Sequence, residues 1–299
     1  MKIIITGANG QLGTDLCKAL SHSDLVPLTH KDIEITAMNS VKQVFGRYKP
    51  DVVINTVAFV RVDDCETEQD RAFRVNALGA RNIAVAAQEL GAKLVHMSTD
   101  YVFGGAGETL VVSRQGSRDK PHPYTEFDVP IPLSIYGKSK LAGESFVRHL
   151  CQRHFIIRTS GLFGLAGSTG KGGNFVDTML KLAKERDELR VVNDQIFSPT
   201  CSKDLARKIA LLIETEYYGT FHITNKGTCS WYDFTREILK QAGLKTPVTP
   251  ISSGEYPQKA KRPRFSVLDN YQLRLLGMDD MRPWQEALKD YMRNKTSLE

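Results

Sequence analysis

Short apolar runs alternating with helical patterns, and a glycine-rich turn directly after the first run, predict a doubly wound α/β fold built on a parallel sheet. Runs that are apolar at nearly every position are strands buried on both faces, as in a parallel sheet covered by helices. The 299-residue length and 41% hydrophobic content suffice for a large core. A smaller, interleaved C-terminal lobe is expected beside the sheet, because the second half of the chain is less regular.

The first strand is expected at 2–6 (KIIIT), followed by the turn TGANGQLG and a helical pattern over 11–21. Strands follow at 24–28, 51–55, 93–97 and 155–158, separated by helices at 36–48, 67–90 and 136–150. Right-handed crossovers wind such a chain over both faces and leave ligands at the carboxyl ends of the strands. Further on, 164–173 is a glycine-rich loop before a helix at 174–186. Then come a strand at 189–192, a helix at 202–214, a strand at 220–224 and a helix at 231–242. The stretch 247–263 is rich in Pro and Ser and is expected as loop. The polar stretch 104–123, with Arg114, Arg118 and Lys120, is expected as a surface excursion. The expected division is 1–160 with 188–225 for a Rossmann dinucleotide-binding domain, and 161–187 with 226–299 for a substrate lobe.

Gly7, Gly10 and Gly13 let the backbone turn tightly and approach a pyrophosphate, and the following helix offers free N–H groups and a positive dipole end. The spacing is G-x-x-G-x-x-G, and its place at the head of the sheet makes it a dinucleotide site. After the second strand come His30, Lys31 and Glu34. Cations there favour the 2′-phosphate of NADPH and a carboxylate favours the ribose of NADH; His30 and Lys31 tilt the expectation toward NADPH. Ser98, Thr99 and Asp100 stand at the carboxyl end of the fourth strand. Tyr136 and Lys140 are four apart, on one face of a helix. That spacing also fits an amphipathic helix with a solvated lysine. In the catalytic reading, an ammonium ~4 Å from a phenol favours the phenolate by roughly 4 kcal/mol at a dielectric of ~20, enough for general acid–base work.

The net charge of +6 is compatible with a small anionic substrate or weakly with nucleic acid, but it is spread along the chain and accompanies no nucleic-acid motif, which favours an ordinary charged surface. No apolar run reaches membrane-spanning length and no secretory signal layout is present. The five cysteines are scattered, as free thiols in a reducing cytosol would be, and the seven histidines form no zinc pattern. A cytoplasmic enzyme with no nucleic-acid or membrane partner and no dedicated metal site is expected.

Taken together, the residues resemble the extended short-chain dehydrogenase/reductases, and within them the dTDP-4-dehydrorhamnose reductase family. The resemblance rests on TGANGQLG (6–13), STDYVF (98–103), YGKSKLAGE (136–144), RTSGLFG (158–164), GGNF (172–175), NDQIFSPT (193–200), CSWYDF (229–234) and KRPRFSVLD (261–269). It implies NADPH- or NADH-dependent reduction of the C4 ketone of a dTDP-linked 4-keto-6-deoxy sugar, giving dTDP-L-rhamnose. Thr99, Tyr136 and Lys140 match the catalytic residues. Gly7, Gly10, Gln11, Leu12 and Gly13 match the cofactor loop, Glu34 and Ile35 the adenosine pair, and Ala58, Phe59 and Val60 the segment lining the cofactor. Asp100 and Asn174 are expected to face the sugar nucleotide, with Lys261 and Arg262 at its pyrophosphate. Three positions depart from the pattern: Gly161 stands where Trp is frequent, Val60 where Thr is frequent, and Asp15 where some members use Glu around a magnesium ion at a dimer contact. Magnesium and a homodimer are therefore expectations of the resemblance alone. The stretch 108–122 is longer than usual. A dehydratase needs a Glu where this chain has Tyr101; a sugar-nucleotide 4-epimerase and a non-catalytic NADP-binding regulatory subunit stay open.

Overall fold

The structure, a computed structural model, describes residues 1–105, 122–166 and 173–296. Most of the polar stretch 104–123, with Arg114, Arg118 and Lys120, lies outside the described residues, as does most of the glycine-rich loop 164–173.

The chain runs β1 (Lys2–Thr6), α1 (Gln11–Ala19), β2 (Asp24–Leu28), α2 (Met38–Tyr48), β3 (Val52–Asn55), α3 (Val62–Thr67) and α4 (Gln69–Phe73). A π-helical turn (Arg74–Gly79) leads into α5 (Ala80–Glu89) and β4 (Lys93–Thr99), and a 3₁₀ turn (Asp100–Val102) precedes α6 (Ile135–Leu150) and β5 (His154–Thr159). Next are β6 (Leu162–Phe163), α7 (Phe175–Glu185), β7 (Leu189–Val192), β8 (Ile196–Phe197), β9 (Thr200–Cys201), α8 (Ser202–Leu212) and β10 (Gly219–His222). The chain closes with β11 (Cys229–Ser230), α9 (Trp231–Gln241), β12 (Val248–Ile251), α10 (Tyr271–Leu275) and α11 (Trp284–Thr296).

Six strands form one sheet in the order β10-β5-β4-β3-β1-β2, every neighbouring pair parallel. Ile3 and Ile5 pack under Leu12 and Leu16 of α1 and Leu205 and Ile209 of α8. Ile4, between them, packs on the other side with Val41 and Phe45 of α2, Ile83 of α5 and Val147 of α6. Both faces are covered, which is why the strand sequence does not alternate. Because β1 sits between β2 and β3, the strand order reverses beside it and a crevice opens beyond Thr6 and Asn55.

A third core joins Phe163, Met179, Phe197, Phe234, Trp284, Leu288 and Tyr291 into the lobe. Its helices start on built caps: Asn174 with Asp177 at α7, and Ser230 with Asp233 at α9.

Several expectations are corrected. The strand at 189–192 was expected with the sheet, but β7 pairs in parallel with β12, and Leu189 and Val191 pack in the lobe core. The partner strand arises within the stretch expected as loop; Pro250 sits in it, where its missing N–H is tolerated at a sheet edge. The helix expected over 67–90 is broken at Glu68 and again by the π turn. The cause of the second break is tertiary. Asn76 accepts the Phe59 N–H at 2.8 Å and donates to the Phe59 carbonyl (3.1 Å) and to Ser139 Oγ (3.0 Å). Those bonds, together with the close approach of α6 at Gly143, where a Cβ would lie 2.3 Å from the Asn76 carbonyl oxygen, hold the widened turn. Helix α11 was not expected, although Trp284, Ala287, Leu288 and Tyr291 recur at helical spacing and are all buried.

Candidate active site

A cleft of about 1640 Å³ runs along the carboxyl edge of the sheet and under the lobe. At one end lies the glycine turn. Gly7 has φ +74°, and a Cβ on it would lie 2.6 Å from Thr56 Oγ1. A Cβ on Gly13 would lie 2.2 Å from the Gly7 carbonyl oxygen. Gly13 therefore lies behind the cleft wall and lets α1 close against the turn, while Gly7, Gly10, Gln11 and Leu12 form the wall itself. Gly10 caps α1 without a side chain and no acidic residue stands in the first turn, so the helix end is open to an anion. Gln11 is buried, and its Oε1 has no hydrogen-bond partner in the protein. The bare helix end and turns with no room for a Cβ fit a dinucleotide pyrophosphate.

Farther along, His30, Glu34 and Ile35 line the cleft. His30 faces the Glu34 carboxylate at 3.6 Å. The Thr36 backbone N–H holds Glu34 below the usual carboxylate range against some desolvation, with the Thr36 hydroxyl helping. Lys31 is exposed and off the wall. Ala58 and Val60 line the cleft; Phe59 does not, its backbone groups bonded to Asn76 and its ring against the Arg71 guanidinium. Asn76 is a residue that sequence reasoning missed, and it holds the whole 58–60 segment in place.

Thr99, Tyr136 and Lys140 come together on one wall of the cleft. Ser134 caps α6 through the Gly137 N–H, and a Cβ on Gly137 would lie 2.2 Å from the Tyr101 carbonyl oxygen, so α6 begins in direct contact with the turn after β4. Lys140 is 2% exposed and donates to the Met97 carbonyl at 2.5 Å. Burial lowers its ammonium to about 8, with Glu144, one helical turn on, opposing the shift. Glu144 is itself held by Arg158 (2.9 and 2.7 Å) and by Ser98 Oγ at 2.5 Å. The expectation that Lys140 lowers the Tyr136 phenol is not met. Burial pushes the phenol up, Asp100, Cys65 and Tyr101 add to this, and only a hydrogen bond with Thr99 opposes it. The reason is that the lysine's hydrogen bond goes to the β4 backbone and the phenol sits among apolar and acidic groups.

Asp100 lines the cleft but is 4% exposed and already occupied. Its carboxylate accepts Thr99 Oγ1 (3.0 Å), Ser160 Oγ (2.8 Å) and Ser266 Oγ (2.6 Å), cross-linking the ends of β4 and β5 to the C-terminal segment. Burial raises it and those hydroxyls oppose the rise. Asn174 also reaches the wall with its side chain committed: it accepts the Asp177 N–H and donates to the Gly164 carbonyl at 2.9 Å. Arg262 lines the cleft in a two-point pair with Asp63, whereas Lys261 is exposed and off the wall.

Gly161 leaves no room for a tryptophan: its φ is +53° and a Cβ would lie 2.3 Å from the Phe197 ring. The aromatic surface comes instead from Phe197 stacked on Trp231, centroids 3.9 Å apart, with Phe175 beside them, all lining the cleft. Asp15 is buried and accepts Ser202 Oγ at 2.5 Å between α1 and α8. Among the described residues no group of three His, Cys, Asp or Glu is placed to hold a metal ion. Nor is any helix long and apolar enough to cross a membrane.

The model of the RmlD substrate binding domain family matches residues 1–297. The chain is 42% identical to the spore coat polysaccharide biosynthesis protein SpsK of Bacillus subtilis, over 99% of this chain and 98% of that one. It superposes on the crystal structure of a dTDP-4-dehydrorhamnose reductase from Clostridium acetobutylicum with TM-score 0.91 and 45% identity, covering 99% and 100% of the two chains. The dTDP-4-dehydrorhamnose reductase of Bacillus anthracis in complex with NADP gives TM-score 0.90 and 44% identity, covering 98% and 99%.

Proposed function

The chain belongs to the family of the RmlD substrate binding domain, and from that premise we propose that it is an NAD(P)H-dependent reductase making dTDP-L-rhamnose by reducing the C4 ketone of dTDP-4-dehydro-β-L-rhamnose. One observation carries the reading: Thr99, Tyr136 and Lys140 share a single cleft with a glycine turn shaped for a dinucleotide.

The turn 7–13 and the open end of α1 take the pyrophosphate. Ile35 and Glu34 border the adenosine, with Ala58 and Val60 along the nicotinamide half. When bound, the nicotinamide supplies the hydride for the ketone carbon. Tyr136 gives its proton to the developing alkoxide, and Thr99 hydrogen-bonds the same oxygen. The phenol stays protonated across the neutral range and so stands ready as donor. Lys140, anchored on the Met97 carbonyl, would hold the nicotinamide ribose. Phe197, Trp231 and Phe175 form a flat apolar wall suited to a nucleobase or sugar face. NADPH is the assigned coenzyme, because the Bacillus anthracis relative was solved with NADP and His30 stands exposed at the ribose end of the cleft. All five cysteines are free thiols, as suits the cytoplasm.

The test is NADPH absorbance with dTDP-, UDP- and GDP-linked 4-keto-6-deoxy sugars. Turnover confined to the dTDP compound is expected. Tightly bound NAD with epimerised product and no consumption of added coenzyme would overturn the assignment.

A further inference from the structure

The segment 260–266 is fastened down along the cleft at several points. Asp63, on α3, accepts the Ala260 N–H at 3.0 Å and both terminal nitrogens of Arg262, at 3.3 and 2.8 Å. Pro263 lies so close to Gly104 that a Cβ there would be 2.4 Å from its own Cβ. Arg262 and Tyr101 line the same stretch of the cleft, and the guanidinium opposes the rise that burial imposes on the Tyr101 hydroxyl. The Tyr101 ring in turn meets the Tyr136 ring edge to face, with centroids 5.9 Å apart and planes at 76°.

The Asp63 side chain is 40% exposed, and an ion pair so open to water adds little stability. Its geometry is nonetheless tightly specified: three donors converge on one carboxylate from a segment 197 residues away in sequence. The chain of contacts ends on the phenol that gives up the proton. A phenol in a roomy cleft has to be held at the right angle to the ketone oxygen, and misplacement by an ångström costs roughly a hundredfold in rate.

Resting on the reading of Tyr136 as proton donor, we infer that Asp63, Arg262 and Tyr101 form a positioning array for that residue. Asp63 fixes Arg262, the Arg262 charge holds the Tyr101 hydroxyl toward it, and the Tyr101 ring sets the orientation of the phenol beside Thr99. The position that carries a carboxylate in a dehydratase is used here to aim the acid. Arg262 then serves the reaction through Tyr101 rather than as a free cation for the substrate diphosphate.

The test compares kcat, KM and coenzyme Kd in Tyr101→Phe, Asp63→Asn and the double variant. Tyr101→Phe keeps the ring and the fold and removes only the hydroxyl. Each single change is expected to lower kcat about tenfold, with KM and coenzyme Kd within about threefold, and the double variant to be no worse than the poorer single one. Losses that multiply, or a tighter KM in Asp63→Asn at unchanged kcat, would overturn the array; the latter would mean that Asp63 only occupies an arginine meant for the diphosphate. Wild-type turnover with an unimpaired Tyr101→Phe sinks the array alone. No wild-type turnover on any dTDP-linked 4-keto sugar sinks the proposed function and the array with it.

Discussion

Tyr136 and Lys140 divide the chemistry between a group that gives a proton and one that must keep its charge. Tyr136→Phe removes the donor and little else, so ketone reduction is expected to fall by about 10²–10⁴-fold while coenzyme affinity, measured by fluorescence titration, stays within about twofold. Lys140, lowered to about 8 by burial, loses its charge as the pH rises through that value. The kcat profile should therefore turn down above about pH 8 with unit slope; a flat profile to pH 9.5 would show that the charge is not needed. The Tyr-x-x-x-Lys spacing was readable in the sequence because a helix converts spacing directly into proximity. The raised phenol was not, because it follows first from burial and then from Asp100 and Tyr101 in the turn after β4 and Cys65 in α3, which only the fold brings to it. The same holds for Asp100 and Asn174: a residue type marks a polar position, but only the fold shows which partners have already taken its oxygens.

At the level of elements, the glycines of the first turn differ in what they permit. Gly7 and Gly10 stand on the wall, whereas Gly13 is the contact between α1 and the turn. Gly13→Ala places a methyl 2.2 Å from the Gly7 carbonyl oxygen. It is expected to lower stability by about 1–3 kcal/mol through overpacking, read as a shift in the urea midpoint, and to weaken coenzyme binding because the turn must move. The strands of the sheet and most of its helices were legible in advance, since both are set by local pattern; α11 carries an equally local stripe and was missed. The π turn at Arg74–Gly79 was not, since the bonds of Asn76 to Phe59 and Ser139 that hold it are tertiary. Strands β7 and β12 show the same limit: four residues of strand sequence do not say which sheet they join.

For the whole molecule, the loop that covers the open edge of the sheet carries a pH-dependent clamp. Glu126 accepts the backbone N–H groups of His222 on β10 (2.9 Å) and Gln272 on α10 (3.2 Å). Burial raises its carboxyl to about 7. Between the ordinary carboxyl value and 7 the folded chain holds a proton that the unfolded chain has released. The contribution of this group is therefore complete in acid and declines as the pH rises through about 7, by up to about 3 kcal/mol. Glu126→Gln cannot titrate, and its melting temperature should lose that part of the decline between pH 5 and 8; an unchanged slope would show that another group is responsible.

The order of the sheet has a bearing on synthesis. Strand β10 pairs with β5 but follows it only after α7, the short strands of the lobe and α8 have been made. At about 5–20 residues per second, each nascent chain spends several seconds with five strands complete and the β5 edge bare. During that interval the row of unpaired N–H and C=O groups on β5 is a template for the edge of a neighbouring nascent chain. Crowding of ribosomes on one message, rather than the stability of the finished enzyme, would then set how much of the protein is recovered folded.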